Sequence, residues 1–314
     1  MSLCAGMRSS WKLLKLVAQS WLDDYAMSMG AALAYYTMFS LAPLLLIVVS
    51  VAGFFFGEEA ARGQIVMQLQ SVMGDAGASA VQDLLVSVRQ PGQGLVATAI
   101  GIVLLLVGAT TVFGELQDSL DRIWRVPDRA HSNGWLFLVR TRLLSFGMIL
   151  AIGFLLIVSL VASTALDAAG RHWNLMLGGW YPLAVATNAI IAFVLVAAMF
   201  ALIYKVMPRV RVLWRDVWIG ALFTALLFTL GKSLISLYIG RSGITSAFGA
   251  AGSLVVVLLW VYYSAQIFLI GAEFTWVYAN TLGSRRGTEK APGRAALAVA
   301  PGNPPTPGGG APRP

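Results

Sequence analysis

The sequence predicts an all-α polytopic membrane protein: a bundle of six transmembrane helices with both termini cytoplasmic and short amphipathic helices at the interfaces. Three observations predict it. Six long, nearly uncharged apolar stretches lie between Gly30 and Ala279, and the basic residues are distributed very unevenly around them. The chain is also 58% hydrophobic and only 11% charged, with a mean hydropathy of +0.76. Soluble domains carry roughly 25% charged residues and need helices with charged outer faces, which these stretches lack.

The apolar cores run Ala31–Phe56, Leu95–Phe113, Leu143–Ala165, Pro182–Tyr204, Val217–Ile239 and Leu254–Ala279. A helix of about 20 apolar residues crosses the ~30 Å hydrocarbon core and satisfies its own backbone hydrogen bonds there. With the amino terminus inside, 17 Lys and Arg residues fall on the cytoplasmic side and 4 on the other, while Lys232 lies within a span. That split follows the positive-inside rule. It explains the net charge of +8 without nucleic acid, and it suits contact with anionic lipid headgroups. The expected location is a bacterial inner (plasma) membrane, multi-pass, with both termini inside.

In chain order, residues 1–29 form a cytoplasmic N-terminal segment. Its residues 9–22 read as an interfacial helix with Trp11, Leu14, Ala18 and Trp21 on one face. Asp23 and Asp24 stand where carboxylates complement the start of the first span. Pro43 should kink that span or open it locally. Residues 30–283 make the membrane domain. Its external loop, 57–93, carries two apolar stripes (Ile65, Val66, Leu69, Met73; Val81, Leu84, Leu85, Val88) separated by Gly74 and Gly77. They read as two short amphipathic helices lying on the outer leaflet or capping the bundle. The second span continues into the cytoplasm over 114–140 as an amphipathic extension that stops at Val126–Pro127. Residues 284–314 read as a disordered tail, because ten of the last fourteen residues are Gly or Pro. No signal-peptide pattern is expected, since the first apolar stretch is too long for one.

Ionisable groups inside a membrane are costly, so each is a functional candidate. Tyr262, Gln266 and Glu273 fall on one helical stripe of the last span, expected to face the bundle interior. Lys232 lies in the fifth span, about 15 Å from Glu273 in depth, so the two are not expected to neutralise each other. Glu273 is expected to pair with Arg142 or Lys205, and Lys232 to snorkel outward or meet Glu58 or Glu59. Tyr35, Tyr36, Ser40 and Pro43 of the first span complete the substrate-path candidates. Gly30, Gly220 and Gly271 sit in small-residue runs that permit close helix contacts.

Catalytic templates are absent: no phosphate-binding loop, no G-x-S-x-G elbow, no H-E-x-x-H. The lone cysteine and two histidines argue against a disulfide framework or a metal cluster, so no catalytic residue, cofactor or metal is expected. Glu115, Asp118 and Asp121 recur every third residue in a spacing that suits a divalent ion. Beside Arg122 and Arg125, they read more simply as a solvated, salt-bridged face.

Several stretches resemble one family. Asp23-Asp24, Ala31-Ala32-Leu33-Ala34-Tyr35-Tyr36 and Ser40-Leu41-Ala42-Pro43 resemble the first-span signature of the YihY/BrkB family. Leu116-Gln117, Leu120 and Arg122-Ile123-Trp124 resemble its second motif. Tyr204-Lys205-Val206-Met207-Pro208, Trp214-Arg215-Asp216, Gly231-Lys232 and the run from Leu259 through Glu273 extend the likeness over about residues 20–280. Asp121 stands where Asn is usual and Phe248 where Tyr is usual, so polar contacts at those two positions should differ. The resemblance implies a six-span bacterial inner-membrane protein. Members have been labelled serum-resistance virulence factors and ribonuclease BN, the latter a tRNA-processing name thought misassigned, and lipid or lipopolysaccharide-precursor transport has been suggested for relatives. The reading that results is a transporter of an amphipathic or lipid-like anion in envelope biogenesis. A non-transporting scaffold or assembly factor is the alternative, and a ribonuclease the remote one; an oligomer or protein partner is compatible with each.

Overall fold

The computed structural model describes residues 2–88, 108, 111–126 and 181–286, and these are helical throughout apart from short turns. Helix α1 is Ser2–Asp23, α2 is Ala26–Phe56 and α3 is Glu58–Val88. Helix α4 covers 111–123. Helix α5 is Tyr181–Val206, α6 is Trp214–Ser242, α7 is the short Ile244–Phe248, and α8 is Gly252–Thr281 after a 3₁₀ turn. The third predicted span, most of the second, and everything beyond residue 286 lie outside the described residues.

Among the described residues, three helices are long and apolar enough to cross a membrane: the segment Ala189–Val206 of α5, α6, and α8. Helix α2 adds 31 residues without a single charge. It begins five residues before the predicted core and remains helical through Pro43, so the predicted local opening there does not occur. Helix α1 likewise starts earlier than the interfacial pattern at 9–22. Its Val17 is buried while Trp11 is 72% exposed, the two-sided arrangement an interfacial helix needs.

Helices α6 and α8 run antiparallel, joined through Gly243, whose φ of 64° is left-handed. Glycines set their spacing: a side chain at Gly220 would collide with Thr275, and one at Gly271 with Thr224 and Tyr204. Small residues at such crossings let backbones approach closely, as the sequence predicted. The core formed there joins α1, α2, α4, α5, α6 and α8 around Leu120, Trp124, Tyr204, Val217, Leu269 and Trp276. On the opposite side of α6 a ridge of exposed residues recurs every fourth position: Trp218, Leu222, Leu226, Leu230, Leu234 and Tyr238. From Trp218 to Tyr238 the helix rises about 30 Å.

The loop read as two amphipathic helices is a helical hairpin. Helix α3 folds back at Gly74, where φ 74° and ψ 176° lie outside the helical region in a conformation essentially reserved for glycine. Its two arms face each other across a shallow groove lined by Gly63, Val66, Gln82, Leu85 and Val86. Met73, Val81 and Leu85 are buried against Ile235 and Ile239 of α6 and Val256 and Val257 of α8. The Ser236 hydroxyl donates to the Met73 carbonyl at 2.8 Å, satisfying an acceptor that the break in the helix releases. Of the two predicted positions for these helices, the hairpin takes the one packed on the bundle.

Candidate functional site

The end of the bundle that gathers the α1–α2 turn, the end of α4, the α5–α6 turn and the end of α8 concentrates buried charge. Helix α4 stops in a Schellman motif: Arg125 N–H donates to Arg122 O and Val126 N–H to Asp121 O, both at 2.9 Å. The left-handed position of that motif usually belongs to glycine, yet here it holds Arg125, with φ 52°. The turn before α2 is built similarly, with Tyr25 at φ 56°. Tyr25 and Arg125 are the non-glycine residues of positive φ among the described residues, and each conformation costs roughly 1–2 kcal/mol. Strain of this kind concentrates at functional sites, where the surrounding structure holds it.

Arg125 acts on Glu273 of α8, and Tyr25 directly follows Asp24, which faces it. The Glu273 side chain is 0% exposed, and neither carboxylate oxygen receives a hydrogen bond from a described N–H or hydroxyl donor. Facing it within hydrogen-bonding reach is the carboxyl group of Asp24, from the turn before α2. Burial raises the Asp24 pKa above the ordinary 3.8; the Glu273 contact, Arg125 and Arg122 oppose that shift, and Asp23 adds to it. The Arg125 guanidinium lies 4.2 Å from the Trp276 ring centroid, one turn beyond Glu273 on α8, and acts on both carboxyls through its charge. A second cation–aromatic pair puts Arg285 5.4 Å from the Trp124 ring, so α4 and α8 exchange one such contact in each direction.

Around this centre the turns are pinned by side chains. Asp121 accepts the Arg209 backbone N–H at 2.8 Å and pairs with its guanidinium at 3.2 Å. Gln117 donates to the Met207 carbonyl at 3.3 Å. Asp216, in the first turn of α6, accepts both the backbone N–H and the hydroxyl of Ser284, tying the start of α6 to the end of α8.

Several expectations change here. Asp24, two residues before the start of α2, also faces another carboxyl group, which its place in the sequence did not suggest. Lys205 donates to the Val212 carbonyl and lies over Trp214, so Arg125, not Lys205, is the cation beside Glu273; Arg142 is outside the described residues. Asp121 does not belong to a solvated face: it is buried and committed to Arg209, which gives the Asp found in place of the usual Asn a partner.

The other path candidates separate by depth. Gln266 is half-buried, donates to the Ala26 carbonyl at 3.3 Å and packs against Gly30, with Tyr262 half-buried one turn further along α8. Lys232 is half-buried beside Gly231, which abuts Tyr263 and Ile267. The pairing of Gly220 with Thr275 and Gly231 with Ile267 puts Lys232 and Glu273 roughly 10–14 Å apart along the bundle, a little less than the spacing expected from the sequence. Ser40 is buried, donates to the Thr37 carbonyl at 3.0 Å and abuts Gly108. Tyr36 is half-buried. Tyr35 is 54% exposed, edge-on to Tyr36 and Phe39, and points away from the buried face of α2 that carries Met29, Leu33 and Ala34. Nothing is described of the Pro43 ring.

The geometry therefore defines an all-helical membrane protein with a buried acidic pair at one end of its bundle. Comparison with known proteins narrows the class: the chain belongs to the virulence factor BrkB family, whose profile matches residues 17–296. It is similar to a UPF0761 membrane protein of Pseudomonas paraeruginosa, 28% identical over 263 residues, covering 82% of this chain and 60% of the relative. A UPF0761 membrane protein of Alkalilimnicola ehrlichii is 29% identical over 270 residues, covering 84% and 57%. One from Verminephrobacter eiseniae is 29% identical over 289 residues, covering 90% and 66%. The chain thus spans about three fifths of the length of the first two of these relatives. No solved structure matches it.

Proposed function

We propose that this protein is a six-span transporter of the bacterial inner membrane, with both termini inside, that moves an amphipathic or lipid-like anion. The observation that carries the reading is the placement of ionisable and polar groups at successive depths of one bundle: Glu273, then Gln266, then Tyr262 and Lys232. The exposed α6 ridge supplies the frame. Its leucines, bracketed by Trp218 and Tyr238 about 30 Å apart, suit a lipid-facing surface with an aromatic residue at each headgroup level. In that frame Glu273 lies just inside the inner boundary and Lys232 in the outer half. Charged groups within a span mark substrate or ion pathways. Lys232 would meet the anionic group, and the Tyr262–Gln266–Glu273 stripe would line the route. The relatives are named as membrane proteins, without an enzymatic activity in the name, which favours this class over the ribonuclease label.

The test is translocation of headgroup-labelled anionic lipids in proteoliposomes, comparing wild type with Lys232→Ala and Glu273→Gln. Loss of translocation in either folded variant is expected. Equal rates in all three folded proteins would remove this route through the bundle; no translocation by the wild type would remove the transport reading and favour an envelope scaffold acting through residues 113–135.

A further inference from the structure

The acidic pair carries a property beyond a route for substrate. Glu273 is fully enclosed, yet no described donor reaches either of its oxygens. A buried carboxylate ordinarily gathers such donors, because burying an ionised group without them is expensive. Within hydrogen-bonding reach stands instead the Asp24 carboxyl, which has one buried oxygen equally without a donor. Two carboxyl groups can hydrogen-bond only when one of them carries a hydrogen; two carboxylates sharing a site repel.

The charged groups that face the pair come from each described element packed around it. Asp23 and Asp24 belong to the α1–α2 turn, Arg122 and Arg125 to the end of α4, and Glu273 to α8. Arg125 is the cation that acts on both carboxyls, but its guanidinium rests on the Trp276 ring and gives Glu273 no hydrogen bond. Among the described residues three carboxyl groups thus meet two guanidinium groups, which leaves the cluster one positive charge short. Among the described residues exposure falls off along one direction: Asp23 and Tyr25 are exposed, Asp24 is half-buried and Glu273 is closed off.

We propose that Asp24 and Glu273 form a proton-binding site in which a single proton, taken from water through the exposed Asp23–Tyr25 turn, bridges the two carboxyl groups. On release the proton returns to water by the same turn, leaving two carboxylates opposed across the α1–α8 contact with Arg125 beside them. Proton binding stands on the geometry of the pair alone. Its use to drive substrate movement rests on the transporter reading and would make that movement depend on the proton gradient.

Infrared difference spectroscopy between acid and alkaline buffers, on the purified full chain in lipid nanodiscs, reads the site directly. The expected result is a protonated-carboxyl C=O band at neutral pH in the wild type that disappears in alkali. It should be lost in both Asp24→Asn and Glu273→Gln, because each replacement supplies an amide donor to the remaining carboxylate. Asp23→Asn should retain it, and wild-type protein carrying ¹³C-carboxyl glutamate should show the band displaced, a measurement that holds even if a variant fails to fold. A wild-type spectrum without the band at neutral pH, or a band that survives in either pair variant, would overturn the proposal. The band without lipid translocation would leave the proton site standing and sink only the transport reading.

Discussion

At the end of the bundle around Glu273, an ion pair, cation–aromatic contacts and two strained residues join four segments of the chain. At the end around Gly74, a hairpin is held by apolar side chains and one serine hydroxyl. The first arrangement is what a protein needs to keep charge inside its fold; the second seals a surface. Both depend on a left-handed backbone, but at the hairpin tip it is given to glycine, whereas at the acidic end it is imposed on Tyr25 and Arg125. A glycine at position 125 would relieve the helix end and lose the guanidinium over Trp276. That choice ties the strain to the buried carboxyls.

The contrast can be broken at either end. The largest effect is expected from Asp121→Ala, which leaves the Arg209 guanidinium buried without its carboxylate and should cost about 3 kcal/mol of stability. Thermal unfolding in detergent micelles would measure it. Gly74→Ala should cost about 2 kcal/mol in the same assay, because alanine resists that backbone conformation and its methyl group meets Ser236. Ser236→Ala should cost about 1 kcal/mol, the usual worth of one hydrogen bond, and should increase hydrogen exchange around Gly74.

The smallest effect sharpens the comparison through pH. Burial raises the Asp24 pKa, so the folded protein holds its proton more tightly than the unfolded chain does. The associated stability is fully present below pH 3.8, the ordinary value, and is lost as pH rises through the folded-state value. Melting temperature should therefore decline across that window in the wild type, and the decline should flatten in Asp24→Asn. No comparable slope is expected to change in Ser236→Ala.

The two ends were also unequally legible in the sequence. The hairpin could be read locally, since two apolar stripes flank Gly74 within some thirty residues and glycine is the natural breaker between them. The long helices were legible for the same reason: uncharged runs such as Ala26–Phe56 permit little else. The stripe of Tyr262, Gln266 and Glu273 followed from helical spacing, and so did the depth separating Lys232 from Glu273. What surrounds Glu273 was not legible. Asp24 and Arg125 are distant in the chain from residue 273, and each had an ordinary local explanation, a helix start for one and a solvated helix face for the other. Only the crossing of α1, α4 and α8 makes them neighbours. Lys205 failed as a predicted partner because a carbonyl of the following turn and the Trp214 ring are closer to hand.

On the proposed reading, function resides at the acidic end and the hairpin end is structural. Translocation of a headgroup-labelled anionic lipid by Glu273→Gln and Ser236→Ala proteoliposomes, matched for folded protein, tests it most directly. Loss is expected in Glu273→Gln and a near wild-type rate in Ser236→Ala; the reverse pattern would place function at the hairpin end and contradict that reading.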